Sequence, residues 1–239
     1  MAERAALVTG GSSGIGLAIA RALGQDGYGL TLSARRPDKL EQAAEALRSE
    51  GLDVEAKPAN MTEEDDIKAL AAGHRERYGR LDVLVNNAGV GIGGPIAEAE
   101  TKKLDIQLDV NLRAVYLMTR ECIPMLKEAG AEHRKALIAN TASIAGKIGQ
   151  GWLAAYSATK FGVVGLSQAM HRELGADGIQ CTALCPGFVA TGMTDWVQEV
   201  PKEDMIQPED IAEAVRYLLR TSPPCFVPEL QFIRPGDAP

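Results

Sequence analysis

Apolar runs near residues 5–9, 28–34, 53–59, 81–86, 136–142, 179–185 and 225–232 punctuate the chain. Between them lie longer stretches near 14–25, 37–50, 63–78, 101–129, 154–175 and 208–221, whose apolar residues follow a helical period. In the first of these stretches Ile15, Ala18, Ile19, Ala22 and Leu23 recur at three- and four-residue steps, the spacing of one helix face. Strand and helix therefore alternate. That order predicts an α/β fold, a doubly wound Rossmann-type parallel sheet of about seven strands joined by right-handed crossovers, with helices on both faces. The least regular span, "GFVATGMTDWVQEVPKEDMIQ" at 187–207, is long enough for a loop beside a site. In an open sheet of this kind the site belongs at the carboxyl ends of the strands.

Composition narrows the field. A chain of 239 residues with 46% hydrophobic and 24% charged residues suits one large domain spanning 1–239, with no repeat or linker to divide it. The formal charge of −7 argues against nonspecific nucleic-acid binding, which needs a basic surface. No apolar stretch approaches the roughly 18 residues of a membrane span, and "MAERAALVTG" lacks the basic and apolar regions of a signal peptide, so a cytoplasmic location is expected. In that setting the four cysteines are expected as thiols. On a strand, Cys181 and Cys185 stand roughly 13 Å apart and cannot share one zinc. With no ligand spacing among His74, His133 and His171 either, no protein-bound metal is expected.

"VTGGSSGIG", residues 8–16, follows the first predicted strand and opens the first predicted helix. Residues without a β-carbon let a pyrophosphate approach the main chain there, and the helix amides meet its charge. The cradle comprises Gly10, Ser12, Ser13, Gly14, Ile15 and Gly16; a tight turn that binds nothing is the bland alternative. The second strand ends in Ala34, Arg35 and Arg36, where an acidic residue would favour the ribose 2′-hydroxyl of NAD and a basic one accommodates the 2′-phosphate of NADP. NADP(H) is the expected cofactor. After the third strand, Asn60 and Met61 are placed to bound the adenine, although Asn60 equally suits a helix cap. In "LVNNAG" Asn86 is placed to brace neighbouring strands, while Asn87, Ala88 and Gly89 run close to a ligand, with a structural role equally open for Asn87.

"YSATK" sets Tyr156 and Lys160 four residues apart, hence on one helix face. Lowering a tyrosine pKa from about 10 toward 7 takes roughly 4 kcal/mol, a contribution suited to a nearby ammonium together with an oxidised nicotinamide. Tyr156 then exchanges a proton with a substrate oxygen. Ser143, in "NTASIAG", is placed to hold that oxygen, and Asn111, in "LDVNLRAV", to order a water beside Lys160. Taken singly, each has an ordinary structural alternative: a helix-face tyrosine, a solvated lysine, a capping serine, a helix polar contact.

Together "TGGSSGIG", "NNAG", Asn111, Ser143, "YSATK" and "PGFVAT" resemble the short-chain dehydrogenase/reductase family, in its compact single-domain branch, over nearly the whole chain. The resemblance implies an Asn-Ser-Tyr-Lys tetrad at Asn111, Ser143, Tyr156 and Lys160. It also implies contact of Lys160 with the nicotinamide ribose, and Pro186, Gly187, Val189 and Thr191 beside the nicotinamide. Many NADP-preferring members carry a basic residue where this chain has Ser13, which leaves the preference to Arg35 and Arg36. Asn60-Met61 replaces the Asp-hydrophobic pair often found at the adenine, and "VPELQFIRPG" differs from the glycine-rich ending of many tetrameric relatives. The expected assembly is a homodimer or homotetramer. The expected activity is interconversion of a ketone or aldehyde with an alcohol by hydride transfer. A catalytically silent, redox-sensing NADP(H) regulator would need the glycine turn but not the tetrad, and a nucleotide-sugar epimerase would ordinarily need more C-terminal chain. Ile144, Ile148, Trp152, Leu153, Phe188, Met193 and Trp196 fall in the segments flanking Tyr156, which concentrate no positive charge. An apolar small-molecule carbonyl or alcohol substrate is therefore expected, held most directly by Ile144, Trp152, Phe188, Met193 and Trp196.

Overall fold

The computed structural model describes residues 3–198 and 200–235; Met1, Ala2, Glu199 of the expected substrate loop, and 236–239 of the expected domain lie outside them. Seven strands form one sheet: β1 (Arg4–Thr9), β2 (Tyr28–Ser33), β3 (Val54–Ala56), β4 (Val83–Asn86), β5 (Ala136–Thr141), β6 (Ile179–Pro186) and β7 (Glu229–Phe232). Their order is β3-β2-β1-β4-β5-β6-β7, and every neighbouring pair is parallel. The crossovers carry α1 (Gly14–Gln25), α2 (Pro37–Ser49), α3 (Glu64–Tyr78), α4 (Thr101–Leu108), α5 (Ala114–His133), α6 (Ala154–Leu174) and α7 (Pro208–Arg220).

Successive strand residues point to opposite faces, and this sheet buries both. On one face Ala6, Val8, Leu30 and Val85 pack with Ile19 and Leu23 of α1 and Ile211 and Val215 of α7. On the other, Leu7, Leu84 and Ile138 meet Ile67 of α3 and Met118 and Leu126 of α5. Strand order reverses between β1 and β4, so their connections leave in opposite directions and open a crevice at the carboxyl ends.

Three elements depart furthest from the sequence expectation. β3 ends at Ala56 rather than 59, although Lys57 N and Ala59 N, on either side of Pro58, still donate to Leu32 O and Ala34 O at 2.9 and 3.2 Å. β7 begins at Glu229 rather than 225, just after Pro228, which faces β6 but has no N–H to offer the ladder. The helix expected over 101–129 is interrupted by a π-helical turn at Asp109–Arg113 and then continues to His133. One extra residue in a turn re-aims the side chains around it, and here the turn carries Asn111.

At the amino ends of the strands the polar groups are structural. Asp82 is buried, accepts from Ala5 N at 2.8 Å and is gripped by Arg80 through two bonds of 2.9 and 2.7 Å. His74, wholly buried, lies 2.7 Å from Thr31 Oγ1 and 2.9 Å from Arg80 O. Its Nε2–H donates to the carbonyl, so Nδ1 accepts from the threonine and the ring is neutral. Burial lowers its pKa to about 4, so the unfolded chain takes up a proton on this ring near pH 6.5 that the folded chain refuses. Stability is full above that pH and declines as pH falls toward 4. Denaturation should therefore show a loss of about 2 kcal/mol between pH 7 and pH 5 from this residue. His74→Gln should be less stable at pH 7 but lose most of that dependence; an identical decline in parent and variant would place the proton uptake elsewhere.

Candidate active site

The chain leaves β1 through a turn that only glycine tolerates at two points. Gly10 and Gly14 have φ of +66° and +53°, left-handed values that cost an ordinary residue about 1–2 kcal/mol. Space is also lacking, since a β-carbon on Gly10 would stand 2.9 Å from Ala88 Cα, and one on Gly14 2.9 Å from Thr191 Cγ2. Gly16 sits behind them, where a side chain would run into Gly10 O and the Asn87 amide. Its role is close packing of α1 on the strand ends rather than lining. Ser13 precedes α1 without a side-chain capping bond, and the first turn holds no acidic residue. That leaves the positive end of the helix facing an open crevice, a fit for a pyrophosphate.

The crevice is a cleft of about 350 Å3. Gly10, Ser12, Ser13, Gly14 and Ile15 form one wall, and Asn87, Ala88 and Gly89 after β4 form another. Thr141 ends β5 and Ser143 follows it, Tyr156 and Lys160 come from α6, and Pro186, Gly187, Val189, Thr191, Gly192, Met193 and Thr194 close the far side. Arg35 and Arg36 are exposed beyond the end of β2. Asn60 and Met61 are not brought into the lining. Met61 is buried in the core under α3, and Asn60 turns the chain into α3, its Oδ1 accepting from Thr62 N at 3.3 Å and its N–H donating to Asp66 at 2.8 Å.

Lys160 is nearly enclosed, 4% exposed, and its ammonium donates to Thr141 O at 2.7 Å. Burial draws its pKa down to about 8. Its Nζ lies 5.5 Å from the centroid of the Tyr156 ring. Burial raises the Tyr156 phenol above the ordinary tyrosine value, opposed by a hydrogen bond with Ser143. The lowering expected from Lys160 therefore does not appear in the protein alone. Ser143 Oγ also accepts from Ala145 N at 3.1 Å. Ser143, Tyr156 and Lys160 thus converge on one end of the cleft.

Asn111 sits in the π-turn, next to Thr159 of α6. Its side chain is fully buried, donates to Val90 O at 2.9 Å and Thr159 Oγ1 at 3.1 Å, and accepts from Val90 N at 2.8 Å. The amide is thereby occupied in fixing the loop after Gly89, and the π-turn is what aims it there. Cys185 is buried at the end of β6, and burial pushes its thiol up to about 12.

Of the expected substrate contacts only Met193 lines the cleft; on the flanking segments Trp152 and Trp196 approach with ring centroids 5.8 Å apart, and Phe188 meets Trp196 edge-on at 6.1 Å. Trp152 has φ of +69°, rare for a bulky residue and a mark of strain held by its surroundings. Its ring covers Gly93, and its carbonyl accepts from Gly94 N at 2.8 Å. A β-carbon on Gly91 would lie 3.8 Å from the Tyr156 ring and 3.9 Å from Met193 Sδ, which puts Met193 close to the phenol. Ile144 packs instead against the small core containing Val163 and Ala183, and Ile148 is exposed.

Sequence reasoning missed several groups that shape this site. Thr141 offers a backbone carbonyl, which no side-chain motif reveals. Gln107 accepts from Ile92 N at 3.1 Å from within a helix, and nothing in its spacing marks it. Thr194 was legible in principle, because Thr191 and Thr194 form a capping box around Gly192–Thr194. Among the described residues no group of His, Cys, Asp or Glu is placed to hold a metal, and no helix is long and apolar enough to cross a membrane.

The short-chain dehydrogenase family model matches residues 4–201. A ketoacyl reductase named for the granaticin polyketide synthase of Streptomyces violaceoruber is 44% identical over 83% of this chain and 72% of its own. The 3-oxoacyl-[acyl-carrier-protein] reductase FabG of Staphylococcus aureus is 35% identical over 90% of each chain. Among solved structures, an alcohol dehydrogenase from Thermococcus sibiricus complexed with 5-hydroxy-NADP superposes with a TM-score of 0.89 at 32% identity, covering 99% of this chain and 98% of that one. A variant of actinorhodin polyketide ketoreductase with NADPH gives a TM-score of 0.86 at 36% identity over 97% of both chains. With the glycine turn, the buried lysine and the cleft-facing tyrosine in place, the chain belongs to the short-chain dehydrogenase family and is an NADP(H)-dependent oxidoreductase that interconverts carbonyl and alcohol groups.

Proposed function

We propose that this enzyme reduces a ketone flanked by alkyl or aryl groups, with Tyr156 as proton donor, Ser143 and Lys160 as its partners, and Arg35 and Arg36 selecting NADPH over NADH. The observation that carries the reading is the convergence of Ser143, Tyr156 and Lys160 at one end of the cleft that the glycine turn opens. NADPH bound along that turn supplies the hydride. Ser143 Oγ, beside the phenol, holds the substrate oxygen within reach of Tyr156. The phenol gives its proton to that oxygen as charge develops there. Lys160, fixed by Thr141 O, places a positive charge next to the forming phenolate and favours it.

Substrate class follows from the segments flanking the cleft. Trp152, Phe188, Trp196 and Met193 offer apolar surface, whose burial contributes about 25 cal/mol per Å2 removed from water. The names of the relatives point the same way, to ketones within acyl chains. Leu108, Tyr116 and Phe161 are exposed on α4, α5 and α6, an apolar set that suits assembly as a homodimer or homotetramer, a mass that light scattering reads directly.

Three measurements check this reading. NADPH should bind at least about tenfold more tightly than NADH, since a charge-assisted hydrogen bond contributes about 1.5–3 kcal/mol, and Arg35→Ala should remove most of the difference. Equal affinities in the parent protein would refute the assignment. Tyr156→Phe should lower turnover at least about a hundredfold and leave NADPH affinity nearly unchanged, whereas Lys160→Ala should damage both; near-normal turnover in Tyr156→Phe, with chemistry rate-limiting, would remove Tyr156 as the donor. In a matched series of ketones kcat/KM should rise with apolar substituent size, and Trp152→Ala should weaken that rise. A clear optimum on a small anionic keto acid would contradict the substrate class.

A further inference from the structure

The loop after β6 contains a cation that neither the cofactor nor the substrate reading uses. Lys202 Nζ lies 2.5 Å from Thr191 O, 2.8 Å from Thr194 Oγ1 and 3.0 Å from Asp195 Oδ1. An ammonium has three donors and no acceptor, so these three oxygens satisfy it completely. All three belong to one short turn. Thr194 Oγ1 has room for this bond because its own proton goes to Val189 O at 2.6 Å.

That turn is a wall of the cleft. Thr191, Gly192, Met193 and Thr194 all line it, and the Thr191 methyl group rests against Gly14 of the glycine turn. The base of the loop is closed separately, by Ala190 N to Ile206 O at 2.8 Å and Ile206 N to Phe188 O at 3.1 Å. Behind the turn lies a second, open cleft of about 460 Å3 lined in part by Arg21, Lys202 and Glu209. Within the turn Thr194 N already donates to Thr191 O at 3.2 Å and Thr194 Oγ1 lies 3.0 Å from the same carbonyl, and Lys202 adds a further tie across the turn, from Thr191 O to Thr194 Oγ1 and Asp195.

We propose that Lys202 is a positioning residue that holds the Thr191–Thr194 turn against Gly14 before the cofactor arrives, so that this wall of the NADP(H) cleft is preformed. The proposal rests on the cleft being the NADP(H) site. Without the ammonium the turn samples other conformations, and cofactor binding must order it. The cost falls on cofactor affinity and not on proton transfer at Tyr156, which stands on α6.

The experiment compares the parent with Lys202→Met. NADPH dissociation, followed by its fluorescence, should weaken about tenfold, equivalent to about 1.4 kcal/mol, and the kinetic loss should appear in the KM for NADPH rather than in kcat. Asp195→Asn, which keeps two of the three acceptors unchanged, should give a smaller loss in the same direction. Amide exchange supplies an independent readout, because Thr194 N donates to Thr191 O at 3.2 Å and Val197 N to Thr194 O at 3.1 Å within the turn. Without cofactor these amides should exchange slowly in the parent and fast in Lys202→Met, and slowly in both once NADPH is saturating. Equal dissociation constants within about twofold, or equally fast exchange in the two cofactor-free proteins, would overturn the proposal. A parent protein that fails to bind NADPH would defeat the cleft reading instead, and exchange without cofactor still decides whether Lys202 orders the turn.

Discussion

Asn87 joins three strand ends at the point where the sheet order reverses, and the rest of the site is built on that junction. Main-chain pairing gives out there, because β1 and β4 diverge into separate turns. Side chains complete it. Asn87 N and Ala88 N donate to Thr9 Oγ1 at 3.0 and 3.1 Å, the Asn87 amide donates to Thr9 O and Gly10 O, and its Oδ1 accepts from Thr141 Oγ1 at 3.2 Å. One layer deeper, Asn86 donates to Asn140 Oδ1 at 2.9 Å and to Thr119, and Asn140 donates to Ser167 at 2.9 Å. A buried amide network in which the donors find acceptors is rigid, whereas losing one member strands the others. The frame fixes Gly10 for the pyrophosphate and Thr141 for Lys160, so cofactor and chemistry share one support.

Burial acts on Lys160 and Tyr156 in opposite chemical senses but to a common end. It lowers the pKa of the lysine to about 8 and raises that of the tyrosine, disfavouring the charged form of each. In the protein alone the pair therefore tends toward neutrality. In the proposed reaction, a positive charge at the cofactor site would favour the ionised phenol.

The layered α/β architecture was legible because both strand and helix periods are strong, and because a glycine that must be glycine, such as Gly14, signals backbone approach directly. Asn86 was read as a brace and stands as one. Boundaries failed where proline decides hydrogen bonding, at Pro228, and at 109–113, where no residue type announces a π-turn. Asn111 was identified by position, but its use on Val90 depends on that turn. Met61 looked like a ligand contact and is a core residue, since an apolar side chain at a strand end serves either purpose. Lys202 was invisible for a different reason: its three acceptors, two of them the carbonyl of Thr191 and the hydroxyl of Thr194, come together only when the loop folds back on itself.

The central claim is that the Tyr156 phenol is held neutral by burial and released by positive charge supplied at the cofactor site. Ultraviolet difference titration of the phenolate tests it most directly, comparing the parent with Tyr156→Phe so that the other tyrosines cancel. Without cofactor the Tyr156 transition should lie above the ordinary tyrosine value of about 10, and saturation with NADP+ should move it below that value. A transition that stays above it in both states, or that already lies below it in the cofactor-free protein, would contradict the account.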